Sequence, residues 1–283
     1  MILWLASYPK SGNTLLRSLL ATYFYSKDGD FNFDLLRYIP YFPGHFFYKN
    51  MNIDISNDQD VIKNYINVQK KFIQNKNRVF FLKTHNGFFN QQNHNFTNQE
   101  TSLGAIYVVR DPRKVVVSYA HHFQMNIDEA TDALLGDTGV YERNSNMKTF
   151  CGKWSSNYLS WKNFGEKKNF GQKKFLLIKF EDLIIDKENT LKKILIFLNS
   201  LTKSKFEINE AKIKNVISST NFEKMKNLEK KNNFIEASVD KNGKPIPFFY
   251  LGDQNKSEKL LDKKNKVRIE NAFKQEMTEL KYI

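Results

Sequence analysis

The sequence predicts an α/β fold on a central parallel sheet, and three observations carry that expectation. Short continuous apolar runs stand at residues 2–6, 79–82, 104–109 and 175–180, as strands covered on both faces require. Long stretches of helical periodicity separate them, which parallel neighbours need for their crossover connections. Polar or turn residues follow each run, so side chains capable of chemistry collect at strand ends along one edge of the sheet.

The first run, Ile2-Leu3-Trp4-Leu5-Ala6, leads into Ser7-Tyr8-Pro9-Lys10-Ser11-Gly12-Asn13-Thr14. Beyond it Leu15, Leu16, Leu19, Leu20, Tyr23 and Phe24 recur every three or four residues, predicting a helix from near Asn13 with one buried face. A lysine, two hydroxyls and unpaired helix N-terminal amides then surround one point, a set suited to an anion. The lysine precedes the glycine, unlike the common nucleoside-triphosphate loop. An ordinary strand-to-helix connection is the plainer reading of this turn by itself.

Residues 31–75 follow, rich in aromatics (Phe31, Phe33, Tyr38, Tyr41, Phe42, Phe46, Phe47, Tyr48) and containing Pro40, Pro43 and Gly44. They read as a cap or substrate-side insertion, with the aromatics packing the cap more than lining a pocket. The second run closes on Lys83-Thr84-His85. A histidine at a strand end suits general-base work near neutrality, a structural histidine being the alternative.

The third run closes on Arg110-Asp111-Pro112-Arg113-Lys114. Asp111 and Pro112 are a helix N-cap and first helical position. Arg110 at the strand end and Ser118 on the adjoining helix offer a guanidinium fork and a hydroxyl to a phosphate; an ion pair of Arg110 with Asp111 is the structural alternative. His121 and His122 on the same helix are expected at the surface or in packing. Helices are further expected over 127–135, 147–164, 187–201, 210–218 and 257–281, and 227–256 reads as an exposed mobile loop.

With 283 residues the chain suits one domain, 1–283, with insertions. Its net charge of +14, from 44 Lys and Arg against 30 Asp and Glu, favours an anionic ligand, although the lysines are dispersed and no nucleic-acid motif accompanies them. The single cysteine, Cys151, excludes an intramolecular disulfide and fits a reducing compartment. No run approaches the roughly 20 apolar residues of a membrane span, so the expectation is a soluble, unprocessed, cytoplasmic protein. No spacing among histidines and acids matches a metal site.

Taken together, residues 8–14, Lys83-Thr84-His85 and residues 107–119 resemble the sulfotransferase family that uses 3′-phosphoadenosine-5′-phosphosulfate (PAPS), most closely its cytosolic type. Weaker echoes lie at Phe180-Glu181-Asp182-Leu183, at Thr220-Asn221-Phe222 with Met225-Lys226, and in the C-terminal helix. The resemblance implies a P-loop-NTPase-like, three-layer α/β/α fold with helical cap insertions and a sulfonate transfer that requires no metal. It assigns Lys10 to the leaving phosphate and sulfonate, and Ser11, Gly12, Asn13 and Thr14 to the 5′-phosphate. Arg110 and Ser118 fall to the 3′-phosphate, Thr220 and Phe222 to the nucleotide, His85 to the base, and Lys83 to a further positive charge. The implied acceptor is a hydroxyl or amine on a small molecule, lipid or carbohydrate.

The chain departs from the family pattern at several positions. Leu15 stands where a tryptophan often stacks on adenine, and Phe180 where a tyrosine is common. The basic Arg-Lys-Gly element of the 3′-phosphate site is not evident near 247–252, leaving Lys241 or Lys244 as substitutes. The Thr-Val pair of the family's dimer motif is missing after Lys231, so that dimer is not expected. A non-catalytic nucleotide- or polyanion-binding protein and an atypical nucleotide-dependent kinase are the alternatives; the kinase would need metal coordination and a standard loop.

Overall fold

The computed structural model describes residues 1–137, 139–141, 147–166, 174–202, 205–232, 234–240, 242–252 and 257–283. Its strands in chain order begin with β1 (Ile2–Ser7) and β2 (Phe80–Thr84). A small hairpin of β3 (Asn90–Gln91) with β4 (His94–Asn95) precedes β5 (Ser102–Val109). A second hairpin of β6 (Gly139–Tyr141) with β7 (Lys148–Phe150) precedes β8 (Phe175–Lys179). Four of these pair in parallel in the order β2-β1-β5-β8. Ala6 lies opposite Thr84, and Ser7 opposite Val108, so the three strand ends of interest share one edge.

Alternation along β1 sorts the core into two layers. Ile2, Trp4 and Ala6 face one apolar cluster, and Leu3 and Leu5 face the other. Helix α1 (Asn13–Tyr25) buries Leu16, Leu19 and Leu20 in the second cluster. The insertion that follows holds a 3₁₀ turn (Phe33–Tyr38), α2 (His45–Tyr48), α3 (Asp58–Lys63) and α4 (Tyr65–Ile73). Helix α5 (Pro112–Phe123) buries Val115 and Val116 on the first face, opposite to α1. The connections leaving β1 and β5 therefore diverge to opposite faces, which opens a crevice at the carboxyl ends of these two adjacent strands. The result is a three-layer α/β/α fold.

Helices α6 (Ile127–Leu135) and α9 (Lys187–Leu201) have the bounds that periodicity gives, and α10 (Glu210–Ser219) is one residue longer. The helix expected over 147–164 differs: Lys148–Phe150 is a strand, and α7 (Trp154–Glu166) starts after Gly152 at positive φ. The expected C-terminal helix is broken into α12 (Ser257–Leu260), α13 (Lys263–Ala272) and α14 (Lys274–Glu279), with Asp262 capping α13 through the amide of Asn265. Between β8 and these lie α8 (Phe180–Ile185) and α11 (Phe222–Asn232).

The stretch read as an exposed loop from 227 differs most. It begins inside α11 and then turns inward, with Phe234, Ala237 and Phe249 buried in the α1-side core. Of the insertion's aromatics, Phe31, Phe42, Phe47 and Tyr48 are core residues, whereas Tyr38 and Phe46 are exposed. Among the described residues no helix is long and apolar enough to cross a membrane.

Candidate active site

Lys10, Gly12, Asn13, Thr14, Lys83, His85, Arg110, Ser118, Thr220 and Phe222 line one pocket at the crevice. The cradle after β1 is shaped by backbone that few residues adopt. Lys10 has φ 63° and Gly12 φ 102°, and such turns aim successive N–H groups into one concavity. A Cβ on Gly12 would lie 2.2 Å from the Phe180 ring, so glycine is required by space as well as by φ. Helix α1 starts at Asn13 with no side-chain cap, although the first residues are buried. Its first-turn amides have no intrahelical acceptor, an arrangement that calls for an anion. The buried Oγ of Ser11 and Nε of Arg110 likewise have no hydrogen-bond partner among the described residues.

Several predicted roles change at the level of atoms. The Asn13 amide group donates to Leu5 O at 2.9 Å and to Ser7 Oγ at 3.2 Å, tying α1 to β1, which leaves its backbone N–H for a ligand. The Thr14 hydroxyl donates to the Glu236 carboxylate at 2.9 Å, not into the cradle. Thr220 Oγ1 donates to Val216 O at 2.6 Å and finishes α10. Phe222 lines the pocket, as does Leu15, from the apolar side.

The strand end at β2 holds the histidine. His85 is buried, and its Nδ1 lies 2.8 Å from Ser7 O, a carbonyl that can only accept. Nδ1 therefore carries the proton, and Nε2 is the ring atom with the lone pair. Burial foremost, then the positive charge of Lys83, presses the imidazole pKa down to about 3; the Ser7 bond and Glu236 act in the opposite sense. Asn157 Nδ2 donates to His85 O at 3.0 Å and to Cys151 O at 2.7 Å, and its Oδ1 accepts from Tyr107, fixing the backbone beneath the ring.

Arg110 forms no ion pair with Asp111, which caps α5 through Arg113 N and binds the Arg113 guanidinium. Instead Arg110 Nη1 donates to Lys10 O at 3.1 Å, and its guanidinium lies 4.3 Å over the Phe180 ring. The turn after β1 and the end of β5 are thereby bonded to each other. Phe180 fits where a tyrosine was expected because its ring fills the space over Gly12 and under Arg110.

Glu236 is the residue that sequence reasoning missed. It lines the pocket and forms ion pairs with Arg17 and, at 3.2 Å, with Lys83, besides accepting from Thr14. Burial opposes its charge, but Lys83 and Arg17 outweigh burial and hold the carboxyl well below the usual range. The apolar pair Phe234-Ile235 interrupting a Lys- and Asn-rich run was the signal that this segment turns inward.

Glu236 and residues 247–252 line the pocket. Lys10 Nζ is 3.7 Å from the Phe248 ring centroid, and the Phe248 and Phe249 amides donate to Glu229 of α11. His121 and His122, expected at the surface or in packing, line the pocket and bond the segment beyond α11: His121 bonds Pro247 O, and His122 bonds Ser238 Oγ. Lys244 is not among the lining residues, and Lys241 lies outside the described ones.

A model of the sulfotransferase domain family matches residues 2–281. The chain belongs to the sulfotransferase family. Solved structures with this fold include mouse sulfotransferase SULT7A1 complexed with PAP, at 20% identity and TM-score 0.59, covering 98% of this chain and 84% of that one. Retinol dehydratase in complex with retinol and PAP superposes with TM-score 0.63 at 18% identity, covering 98% and 81%. At these identities the likeness concerns the fold of this sulfotransferase. No curated protein matches its sequence.

Proposed function

We propose that this sulfotransferase moves a sulfonate group from PAPS to a hydroxyl or amine acceptor, with His85 as general base. The observation that carries the reading is the convergence on one pocket of an uncapped helix N-terminus, Lys10, Arg110 and a histidine with its lone pair on Nε2. The donor supplies a sulfonate group on a phosphate leaving group and a second phosphate at the ribose. The Ser11 hydroxyl and the amides of Gly12, Asn13 and Thr14 suit the first phosphate, and Arg110 with Ser118 the second. The PAP-bound relatives support that assignment by family.

Lys10 supplies a positive charge where negative charge grows on the leaving oxygen, the kind of stabilisation that dominates group transfer between oxygens. His85 accepts the acceptor's proton at Nε2 while Ser7 O holds Nδ1–H. Negative charge arriving beside Lys10 and Lys83 offsets the two lysines that lower its basicity, so the base strengthens when the site is loaded. Lys83, paired with Glu236, adds fixed charge beside the base. The neighbours with retinol and androsterone support an apolar small molecule as one acceptor class to include.

The test combines calorimetry with adenosine 3′,5′-bisphosphate (PAP) and a mass-spectrometric screen of phenol, alcohol, amine and sugar acceptors with PAPS. Lys10→Ala and His85→Ala are expected to abolish transfer, the latter while keeping PAP binding within a few-fold. Undiminished turnover by His85→Ala on the acceptor found in the screen would remove His85 as the base. Absence of PAP binding to the unmodified protein would remove the donor.

A further inference from the structure

We propose that Phe248 is a positioning residue for Lys10, its ring face holding the ammonium so that the leaving phosphate meets a charge already in place. This deepens the donor-binding reading above and rests on it. Lys10 Nζ stands 3.7 Å from the Phe248 ring centroid, well inside the roughly 6 Å over which a ring quadrupole attracts a cation. Both residues line the same pocket.

The lysine is held at both ends. Its backbone sits at φ 63° and its carbonyl accepts from Arg110 Nη1 at 3.1 Å, which fixes where the side chain sets out. Phe248 fixes where it ends. The ring is itself set by its surroundings: the Phe248 amide donates to Glu229 Oε1 at 2.6 Å, and the neighbouring Phe249 is buried. The Phe248 ring also packs edge to face against Phe234 at 5.0 Å and 80°, and against His122 at 5.8 Å and 88°. A ring pinned on these sides keeps its place when a ligand enters, so the contact belongs to the bound state as much as to the free one.

The chemistry of the partner matters. Lys83 and Arg17 pair with the Glu236 carboxylate, which offsets their charge within the protein. A ring face orients an ammonium without adding a negative charge. It occupies one side of a group that carries three donors, so a ring and a phosphate oxygen can hold the same ammonium. Arg110 rests on a ring in the same way, 4.3 Å over Phe180. The two cations assigned to the donor's phosphates thus stand on aromatic faces, whereas Lys83 and Arg17 share a carboxylate. A lysine that is already oriented gives up less freedom when the phosphate arrives.

Phe248→Leu keeps an apolar side chain and removes the ring face, and Phe248→Tyr keeps the face. PAP binding is measured by calorimetry for both, for Lys10→Met, and for Lys10→Met combined with Phe248→Leu, with melting curves to confirm folding. Phe248→Leu is expected to weaken PAP binding about fivefold and Phe248→Tyr by less than about twofold. In the Lys10→Met background the leucine is expected to change affinity by less than about twofold, because the ring then has no ammonium to hold. An equal loss in both backgrounds overturns the proposal, since the ring would then only pack the pocket. Tighter binding by Phe248→Leu overturns it too, since the ring would then compete with the phosphate for Lys10. Nuclear magnetic resonance of protein carrying isotope-labelled lysine needs no nucleotide. The Lys10 Cε–H signal, assigned from Lys10→Met, is expected to be shifted upfield by the Phe248 ring current and to lose that shift in Phe248→Leu. A Lys10 signal without the shift overturns the contact itself. With the shift present, absence of PAP binding to the unmodified protein removes the donor reading and, with it, the role of the contact.

Discussion

Glu236→Gln tests the part of the site that joins distant segments of the chain. The carboxylate accepts from Thr14 at 2.9 Å, pairs with Lys83 at 3.2 Å and binds Arg17, whose side chains are 4% and 9% exposed for Lys83 and Arg17. Glutamine keeps the shape and one acceptor oxygen but leaves two buried cations without their counter-charge. Removing one partner of a buried ion pair costs about 3–5 kcal/mol, because the remaining charge stays desolvated. At about 2 °C per kcal/mol for a domain of this size, the melting temperature should fall by roughly 6–10 °C near neutral pH.

The sign with pH follows from the depressed carboxyl pKa. Its stabilisation is fully present above the unfolded value of 4.5 and is lost as pH falls through the lower folded value, so the gap between the two proteins should narrow in acid. Differential scanning calorimetry at pH 7 and pH 4 reads both effects. Adding Lys83→Met to Glu236→Gln should recover part of the loss, since one stranded charge is then gone. A Glu236→Gln protein that melts within about 1 °C of the parent at pH 7 would refute the ion-pair reasoning.

Other expectations are local. Gly12→Ala must place a Cβ into the Phe180 ring at a φ of 102°, so PAP binding in calorimetry should weaken at least tenfold; unchanged affinity would mean that the loop adapts at little cost. Asn157→Ala removes a donor from the carbonyls of His85 and Cys151 and the acceptor of the Tyr107 hydroxyl, at about 0.5–1.5 kcal/mol per hydrogen bond, and denaturant unfolding should show a loss of about 2–4 kcal/mol. His85 is buried and His122 half-buried, with folded pKa values of about 3 and about 2, below the ordinary 6.5, so both favour the folded state above 6.5 and disfavour it progressively as pH falls. Replacing either with Gln should flatten the acid side of a stability–pH curve, and a curve of unchanged slope would contradict their being held neutral in the folded state.

Much of this protein is decided by short-range chemistry that a sequence displays directly. Apolar runs set the strands, the Leu16, Leu19 and Leu20 spacing sets the buried face of α1, and Asp111-Pro112 sets the start of α5, because each depends on neighbours within a turn or two. Lys10, His85 and Arg110 were legible as strand-end residues, and the parallel register brings those ends to one edge. The tertiary structure decided what each side chain touches. Thr14 meets Glu236 across 222 positions and Arg110 meets Lys10 across 100, and no periodicity records such contacts. The segment after α11 reads as solvent-exposed from composition, yet Phe234 and Phe249 have a core to enter and Glu236 has two buried cations to neutralise. Burial and long-range charge pairing belong to the assembled chain, and they set a buried histidine and a counter-charged lysine beside the turn that follows β1.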